Sequence, residues 1–599
     1  MVRIRLKHSE NAGVAFGDYI LKDSAKRKNY DYEGRNNSSR NILLPLVFIG
    51  IFLILFFRLF FLQVVNGYYY RFLSDSNRTK TQVIHAPRGI IFDRNGTPLV
   101  FNIPGFREKV NGKTVLLSQD LALSLIASGK TDLEVDSLRQ YPYKDAFAHV
   151  LGYIGEISAD ELKSEMYAGY HQGDIIGKEG IEKEYEQRLK GTDGKILFEI
   201  DSAGKEIRKL GQQDPISGQN ITLTLDAKLQ QAAYDATKDV KRGAVIVSSP
   251  KGEILTLLSR PSFDPNLFSQ GNDYKVSSSS SYLTLQDILT DSKNQPLLNR
   301  SISGLYPPGS TFKLVVAASG LENKIIDENY QIEDTGVLNL GAFSFSNWYY
   351  TGYGGKDGEV NVVKGIKRSN DIFFYKLAEK VGVDKVSETA FKFNLGKKLG
   401  IDLSGEEEGT VPTQEWKEKT IGEPWYLGDT YHYGIGQGYL LTTPLQVNAW
   451  TQVIANQGTL YRPHLLEQLG SDVIANNLLN SSSANLIREG MIEACAPGGV
   501  AWPLFNYTVK NSRLKIDNKN IFGVDQASGS ADMRRIVVAC KTGTAQHGGE
   551  NTLPHSWITL FAPAYDPQVV VTVLSEESGE GSNVAGPIAK KILDNWFTR

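Results

Sequence analysis

Ala244–Ser259 reads AVIVSSPKGEILTLLS, two β-forming runs joined through Pro250-Lys251-Gly252, the pattern of a hairpin. A matching set stands near the end of the chain: IVVAC (536–540), SWITLFA (556–562) and VVVTVLS (569–575), separated by turn-rich segments. A helical pattern from about Ala585 to Phe597 closes the sequence. Between the two strand groups the pattern is mostly helical. Strands from both ends enclosing helices predict one antiparallel sheet with helices against it, an α+β domain over 216–599. Its serine-rich piece, Ser277 to Ser281, reads as a loop.

Upstream, residues 66–215 alternate short β-like runs with Gly/Pro/Asn turns: APRGIIFDRNGTPLV (86–100), YPYKDAFAHVLGYIG (141–155) and GKEGIEKEYEQRLKGTDG (177–194). The last predicts a short amphipathic helix, Ile181 to Leu189, between glycines. This region reads as an elongated, β-rich, non-catalytic module whose acids and lysines form solvated faces. Further upstream, Ile42–Phe57 is ILLPLVFIGIFLILFF, continued after Arg58 by Leu59–Val65. As one helix over 41–65 this is long enough to cross a hydrocarbon core of about 30 Å. Arg58 can snorkel, and Tyr68, Tyr69 and Tyr70 form an interfacial belt. A tail of some forty residues is too long for a signal-peptide n-region, and no small-residue cleavage site follows. Lys26, Arg27, Lys28, Arg35 and Arg40 favour a cytoplasmic tail (1–40) and an extracytoplasmic C-terminal part, although Arg71, Arg78 and Lys80 follow the helix. The expected location is a cell membrane crossed once.

At 599 residues, several domains are expected. A formal net charge of -2 gives no support for nucleic-acid binding. The two cysteines, Cys495 and Cys540, are too few for a disulfide scaffold and fit no metal spacing. Cys540, inside an apolar run, reads as a buried structural thiol, with one disulfide left open.

A serine nucleophile needs a base, and Ser-x-x-Lys supplies one because residues three apart on a helix share a face. The pattern occurs at Ser202/Lys205, Ser248/Lys251, Ser310/Lys313 and Ser512/Lys515. Gly204 and Pro250 mark the first two as turns, and the last lies in a polar stretch without helical pattern. Ser310 instead follows Pro307-Pro308-Gly309 and opens TFKLVVAASGLE, apolar on nearly every side and hence a buried helix. At that N-terminus the helix dipole favours developing negative charge, and burial favours a neutral amine on Lys313. A capping serine beside a surface lysine is the plainer alternative. Two further stretches shift the balance. VVACKTGTAQ puts Lys541, Thr542, Gly543 and Thr544 at the end of a β-run, where an edge strand can grip a carboxylate. KRSNDIFFYKLAEKVG puts Ser369, Asn370 and Asp371 at a helix start, where a hydroxyl can relay a proton.

Ser-x-x-Lys, a Ser-x-Asn-type element and Lys-Thr-Gly form the signature of penicillin-binding proteins and β-lactamases. Here they stand in that order within NRSISGLYPPGSTFK, SNDIFFYKLA, GIGQGYLLTTPLQV and CKTGTAQ. These fragments, with APRGIIFDRNGTPL and GKEGIEKEYEQRLKGTDG, resemble class B penicillin-binding proteins over most of the chain. VPTQEWKEKTIGEPWYLGDTYHYGIGQGY resembles the elongation-type group known as penicillin-binding protein 2. The resemblance implies a pedestal with a serine β-lactamase-like transpeptidase domain, and a serine-type D-Ala-D-Ala transpeptidase with possible D,D-carboxypeptidase side activity. It implies Ser310 as the acylated nucleophile, Lys313 as its base and Ser369 as a proton relay. Asp371 takes the last place of the second motif, where many relatives have asparagine. Lys541, Thr542, Gly543 and Thr544 would bind the substrate carboxylate, and the backbone N–H groups of Ser310 and Thr544 would form the oxyanion hole. Expected partners are a stem peptide ending in D-Ala-D-Ala, β-lactam antibiotics, a RodA-type SEDS glycan polymerase and an MreC-type scaffold. No cofactor is expected. Some relatives carry a metal cluster near the second motif; between Gln331 and Asn370 this chain has neither His nor Cys, so no zinc is expected there. Only about Val100 to Leu138 is available for a head subdomain, which should be reduced.

Other chemistries fit less well. No Gly-x-Ser-x-Gly elbow and no His-Glu-x-x-His motif occur, and His432, His547 and His555 read as structural or surface residues. Gly112-Lys113-Thr114 lacks the upstream glycine of a phosphate loop. A division-type transpeptidase, a β-lactamase or a β-lactam sensor would share the acylation step.

Overall fold

The computed structural model describes residues 43–110, 113–117, 119–130, 133–270, 274–277, 280–510, 533–549 and 552–598. The five basic residues of the tail, Ser278, Ser279 and the Ser512/Lys515 pair lie outside the described residues. The chain divides into two units, Met1–Thr81 with Leu197–Gly211, and Gln82–Ile196 with Gln212–Arg599. In the first, Leu43–Val65 forms one helix of 23 residues with mean hydropathy 2.7 in its most apolar window. At 1.5 Å per residue it is about 34 Å long, enough to span a bilayer. None of its most apolar window is buried in the protein. Tyr68, Tyr69 and Tyr70 follow it, all exposed.

In the second unit, the Ala244–Ser259 hairpin forms as β1 (Gly243–Ser248) and β2 (Ile254–Arg260). The distal runs form β3 (Ala539–Ala545), β4 (His555–Ala562) and β5 (Val569–Ser575). They make one antiparallel sheet in the order β2-β1-β5-β4-β3, with β3 at its edge. Helix α1 (Ala227–Ala236) precedes the sheet; α2 (Lys313–Glu322), α3 (Val362–Lys367), α4 (Asp371–Val381), α5 (Pro444–Ala455) and α6 (Ser481–Ala494) lie between its halves, and α7 (Ala585–Phe597) follows. Side chains alternate faces along a strand, so β1 feeds two cores. Ala244 and Ile246 share a cluster with Val447, Trp450 and Val453 of α5. Val245 and Val247 join Leu229 of α1 and Ile588 and Ile592 of α7. With both faces covered, the strands read as near-continuous apolar runs.

The module before this domain is built on strands Ile91–Phe92, Pro98–Val110, Lys113–Leu117, Glu134–Gln140 and Ile221–Thr222 in one sheet. The expected helix from Ile181 to Leu189 is two short helices, Gly180–Glu184 and Glu186–Leu189, broken at Tyr185. The expectation that acids here are solvated is wrong for Glu182 and Glu186, both fully buried. Arg88 Nη2 donates to Oε2 of each at 2.8 Å, and Arg139 Nε donates to Glu182 Oε1 at 2.7 Å. Burial pushes the Glu182 carboxyl up, yet Arg139 and Arg88 outweigh it and hold it below its ordinary value. Removing either arginine would leave an uncompensated buried charge, so its loss should destabilise the module.

Cys540 is not a free thiol. It is joined to Cys495, the residue after α6, across a sequence separation of 45 residues. The bridge ties α6 to β3 one residue before Lys541. By chain entropy a loop of this length contributes about 4 kcal/mol of stability. A Cys495→Ser/Cys540→Ser variant is therefore expected to lose up to about that much stability and to unfold at a lower denaturant midpoint; an unchanged midpoint would show that packing alone holds α6 to β3.

Candidate active site

Ser310 stands in a single 3₁₀ turn, Gly309–Thr311, and α2 begins at Lys313. Pro307 and Pro308 stiffen the approach, with Trp557 Nε1 donating to Pro307 O at 3.2 Å. Thr311 Oγ1 donates to Pro308 O at 2.8 Å, closing the turn on itself. Phe312 stacks on Tyr433 with ring centroids 5.3 Å apart, anchoring the turn to the core. Gly309 takes φ +54°, a left-handed conformation that side chains resist. Its N–H donates to Gly436 O at 2.9 Å. The Ser310 hydroxyl is half-buried and makes no hydrogen bond with another described residue. It is free to react.

Lys313 reaches from the first residue of α2 into the protein, fully buried. Its Nζ donates to Asp371 Oδ1 at 2.6 Å, to Ser369 O at 2.9 Å and to Ser369 Oγ at 3.4 Å. Ser369 can present both oxygens because its φ is +52°, unusual for a residue with a side chain. Asn370 caps α4, its Oδ1 accepting from Phe373 N at 2.8 Å. Burial lowers the Lys313 proton affinity and the Asp371 charge raises it; burial wins, so the amine sits below its ordinary value of 10.5.

The third motif closes the site. Among the described residues the β3 edge carries no strand on its outer side, and the Ser310 turn packs there: a Cβ at Gly543 would lie 3.1 Å from Pro308 O and from Thr311 Cγ2. Lys541 is fully buried, with Nζ donating to Thr542 O at 3.1 Å. Burial first, then the nearby Lys313 charge, lower its proton affinity well below normal, while Asp371 opposes them. Both lysines are charged in the unfolded chain, which therefore binds more protons. Their contribution to stability rises with pH toward 10.5. Thr542 is buried and Thr544 is exposed; Gly581 N donates to Thr544 Oγ1 at 3.4 Å. The sequence-predicted residues Ser310, Lys313, Ser369, Asp371, Lys541, Thr542, Gly543 and Thr544 thus meet in one place. Ser202 lies in a surface turn, and Ser248 is buried at the end of β1, donating to Asn448 Oδ1 at 2.7 Å.

Several contributors carried no local signal. Asp371 Oδ2 accepts from Trp348 N at 3.0 Å, and Asp371 N donates to Asn347 Oδ1 at 3.2 Å. The stretch from Gln331 to Asn370, where no zinc is expected, brings Asp334, Asn347 and Asp357 around Asn370 in mutual hydrogen bonds. Gly436 supports the nucleophile turn by close approach: a Cβ there would lie 2.1 Å from Gly309 O. Gly436→Ala is expected to displace the turn and slow acylation about 100-fold, read as the labelling rate with a fluorescent penicillin. A wild-type rate in the folded variant would contradict this role.

A domain with a Ser-x-x-Lys pair whose lysine is buried, a second-motif hydroxyl and an edge Lys-Thr-Gly strand defines a penicillin-binding acyltransferase. The model of the penicillin binding protein transpeptidase domain matches residues 243–594, and that of the penicillin-binding protein dimerisation domain matches 129–223. The chain belongs to the penicillin-binding protein transpeptidase family. It is 33% identical to the peptidoglycan D,D-transpeptidase MrdA of Acinetobacter baumannii, covering 91% of this chain and 85% of that protein. Among solved structures it is similar to penicillin-binding protein 2 of Helicobacter pylori in complex with MreC, with TM-score 0.69 and 30% identity over 87% of this chain and 98% of that one. It is also similar to a chain from a structure described as the structural coordination of polymerization and crosslinking by a peptidoglycan synthase complex. There the TM-score is 0.68, with 26% identity over 94% of this chain and 98% of that one.

Proposed function

We propose that the chain is a peptidoglycan D,D-transpeptidase that crosslinks stem peptides during cell-wall elongation through a Ser310 acyl-enzyme. One observation carries this reading: three segments far apart in sequence surround one unpaired hydroxyl with a buried amine and a substrate-gripping edge. Lys541, Thr542 and Thr544 would hold the carboxylate of a terminal D-Ala, with Gly543 letting the strand lie close against the Ser310 turn. Neutral Lys313 takes the Ser310 proton as Oγ attacks the penultimate carbonyl. The N–H groups of Ser310 and Thr544 steady the oxyanion, a contribution of about 3–4 kcal/mol per donor. The departing D-alanine amine collects a proton through Ser369 and Lys313. An amine from a neighbouring stem then attacks the ester, and Ser310 regains its proton. β-Lactams would stop at the acyl stage.

The residue roles, the domain division at about 216 and an N-terminus in the cytoplasm are parts of this proposal. A RodA-type polymerase and an MreC-type scaffold are the partners it implies. MrdA relatives favour elongation over the division-type reading. The test supplies lipid-linked substrate and a RodA-type polymerase. Crosslinked muropeptides that vanish with penicillin are expected; released D-alanine with only uncrosslinked product would identify a hydrolase instead.

A further inference from the structure

Lys313 is oriented by Asp371, and what orients Asp371 lies deeper. Asp334 ends strand Gln331–Asp334, which pairs with Gly358–Asn361, while the neighbouring hairpin Val337–Leu340/Phe343–Ser346 leads into Asn347. The carboxylate is buried, 1% exposed, at the junction of these two ribbons. Its Oδ2 accepts from Asn347 Nδ2, Asn370 Nδ2 and Asp357 N, each at 2.9 Å, and its Oδ1 accepts from Gly336 N at 2.8 Å. Asn370 Nδ2 also donates to Asp357 Oδ2 at 2.9 Å, and Arg368 Nε donates to Asp357 Oδ1 at 3.0 Å. Asn347 and Asn370 flank Asp371 on both sides: one accepts from its N–H, the other is its chain neighbour and caps its helix.

Building on the Ser310/Lys313 reading, we infer that Asp334 is a positioning residue that fixes Asp371 against Lys313 through Asn347 and Asn370. It touches neither substrate nor reacting atoms. Its effect passes through two amides that both donate to its Oδ2, with Asp357 sharing the Asn370 amide. Asparagine cannot replace it: both carboxylate oxygens face N–H donors, so whichever oxygen became NH₂ would confront one. Misplaced amides would let Asp371 and the left-handed Ser369 turn relax, and Lys313 would lose its held geometry.

Lys313 is faced by Asp371 and Phe374 of α4, by Ser369, and by Lys541 of β3. Of the charged groups among these, Asp371 favours the ammonium and Lys541 opposes it. Slackening Asp371 should therefore lower the pH at which acylation reaches half its plateau. The test follows acylation of full-length protein by a fluorescent penicillin from neutral to alkaline pH, with melting measured in parallel. Asp334→Asn is expected to acylate about 100-fold more slowly and to move the pH limb downward. Asp357→Asn, which touches only the Asn370 amide of the two, is expected to move it the same way by less, and it decides the matter if Asp334→Asn does not fold. A loss of stability alone would not move the limb. A folded variant with the wild-type rate and limb would overturn the inference. If Ser310→Ala labelled like wild type, the fault would lie in the site assignment instead.

Discussion

Ser310→Ala is expected to abolish covalent labelling by β-lactams and crosslinking together, a loss of about a millionfold, as when a hydrolase loses its serine nucleophile. The prediction is clean because the hydroxyl makes no hydrogen bond with another described residue. Its removal leaves no buried partner unpaired, so the melting temperature should stay within about a degree or two of wild type. Alanine also keeps the turn, since the strained position is Gly309, with φ +54°, and not Ser310. Intact protein that neither labels nor crosslinks is the expected result; a destabilised protein would confuse structure with chemistry.

Lys313→Met is expected to have the next largest effect, with acylation slowed about 10²–10⁴-fold, the usual contribution of a positioned base. Methionine fills the volume but leaves the Asp371 carboxylate without its cation, which now sits 2.6 Å away. Stranding a buried charge costs about 3–5 kcal/mol, so this variant should also melt early. Adding Asp371→Asn should restore much of the stability, because the pair is then removed as a unit, and none of the rate. Recovery of acylation in the double variant would show that Lys313 serves packing and not proton transfer. In wild type the rate should rise with pH through the lowered Lys313 value and then level off, since only the neutral amine accepts the proton.

The sheet was legible because its runs are apolar and β-branched at both ends of the domain, and the hairpin around Pro250-Lys251-Gly252 announced itself locally. The site was legible as three short patterns; what brings them together is the order of strands, which leaves Lys541–Thr544 on the edge beside the Ser310 turn. Other features depended on partners that local pattern does not reveal. Glu182 looks like the polar side of an amphipathic helix until Arg88, 94 residues earlier, is folded onto it. Cys540 looks like a buried thiol until α6 carries Cys495 to its side. Asp334 and Asn347 sit in turn-rich sequence with no periodicity, and only the two ribbons aim them at Asn370 and Asp371.

The most direct measurement is peptide mapping of the penicilloyl adduct after brief exposure of the full-length protein to a β-lactam. Trypsin should release Ser301–Lys313, SISGLYPPGSTFK, heavier by one antibiotic, with fragmentation placing the added mass on Ser310. An adduct on any other residue, or full-rate labelling of Ser310→Ala, would contradict the account.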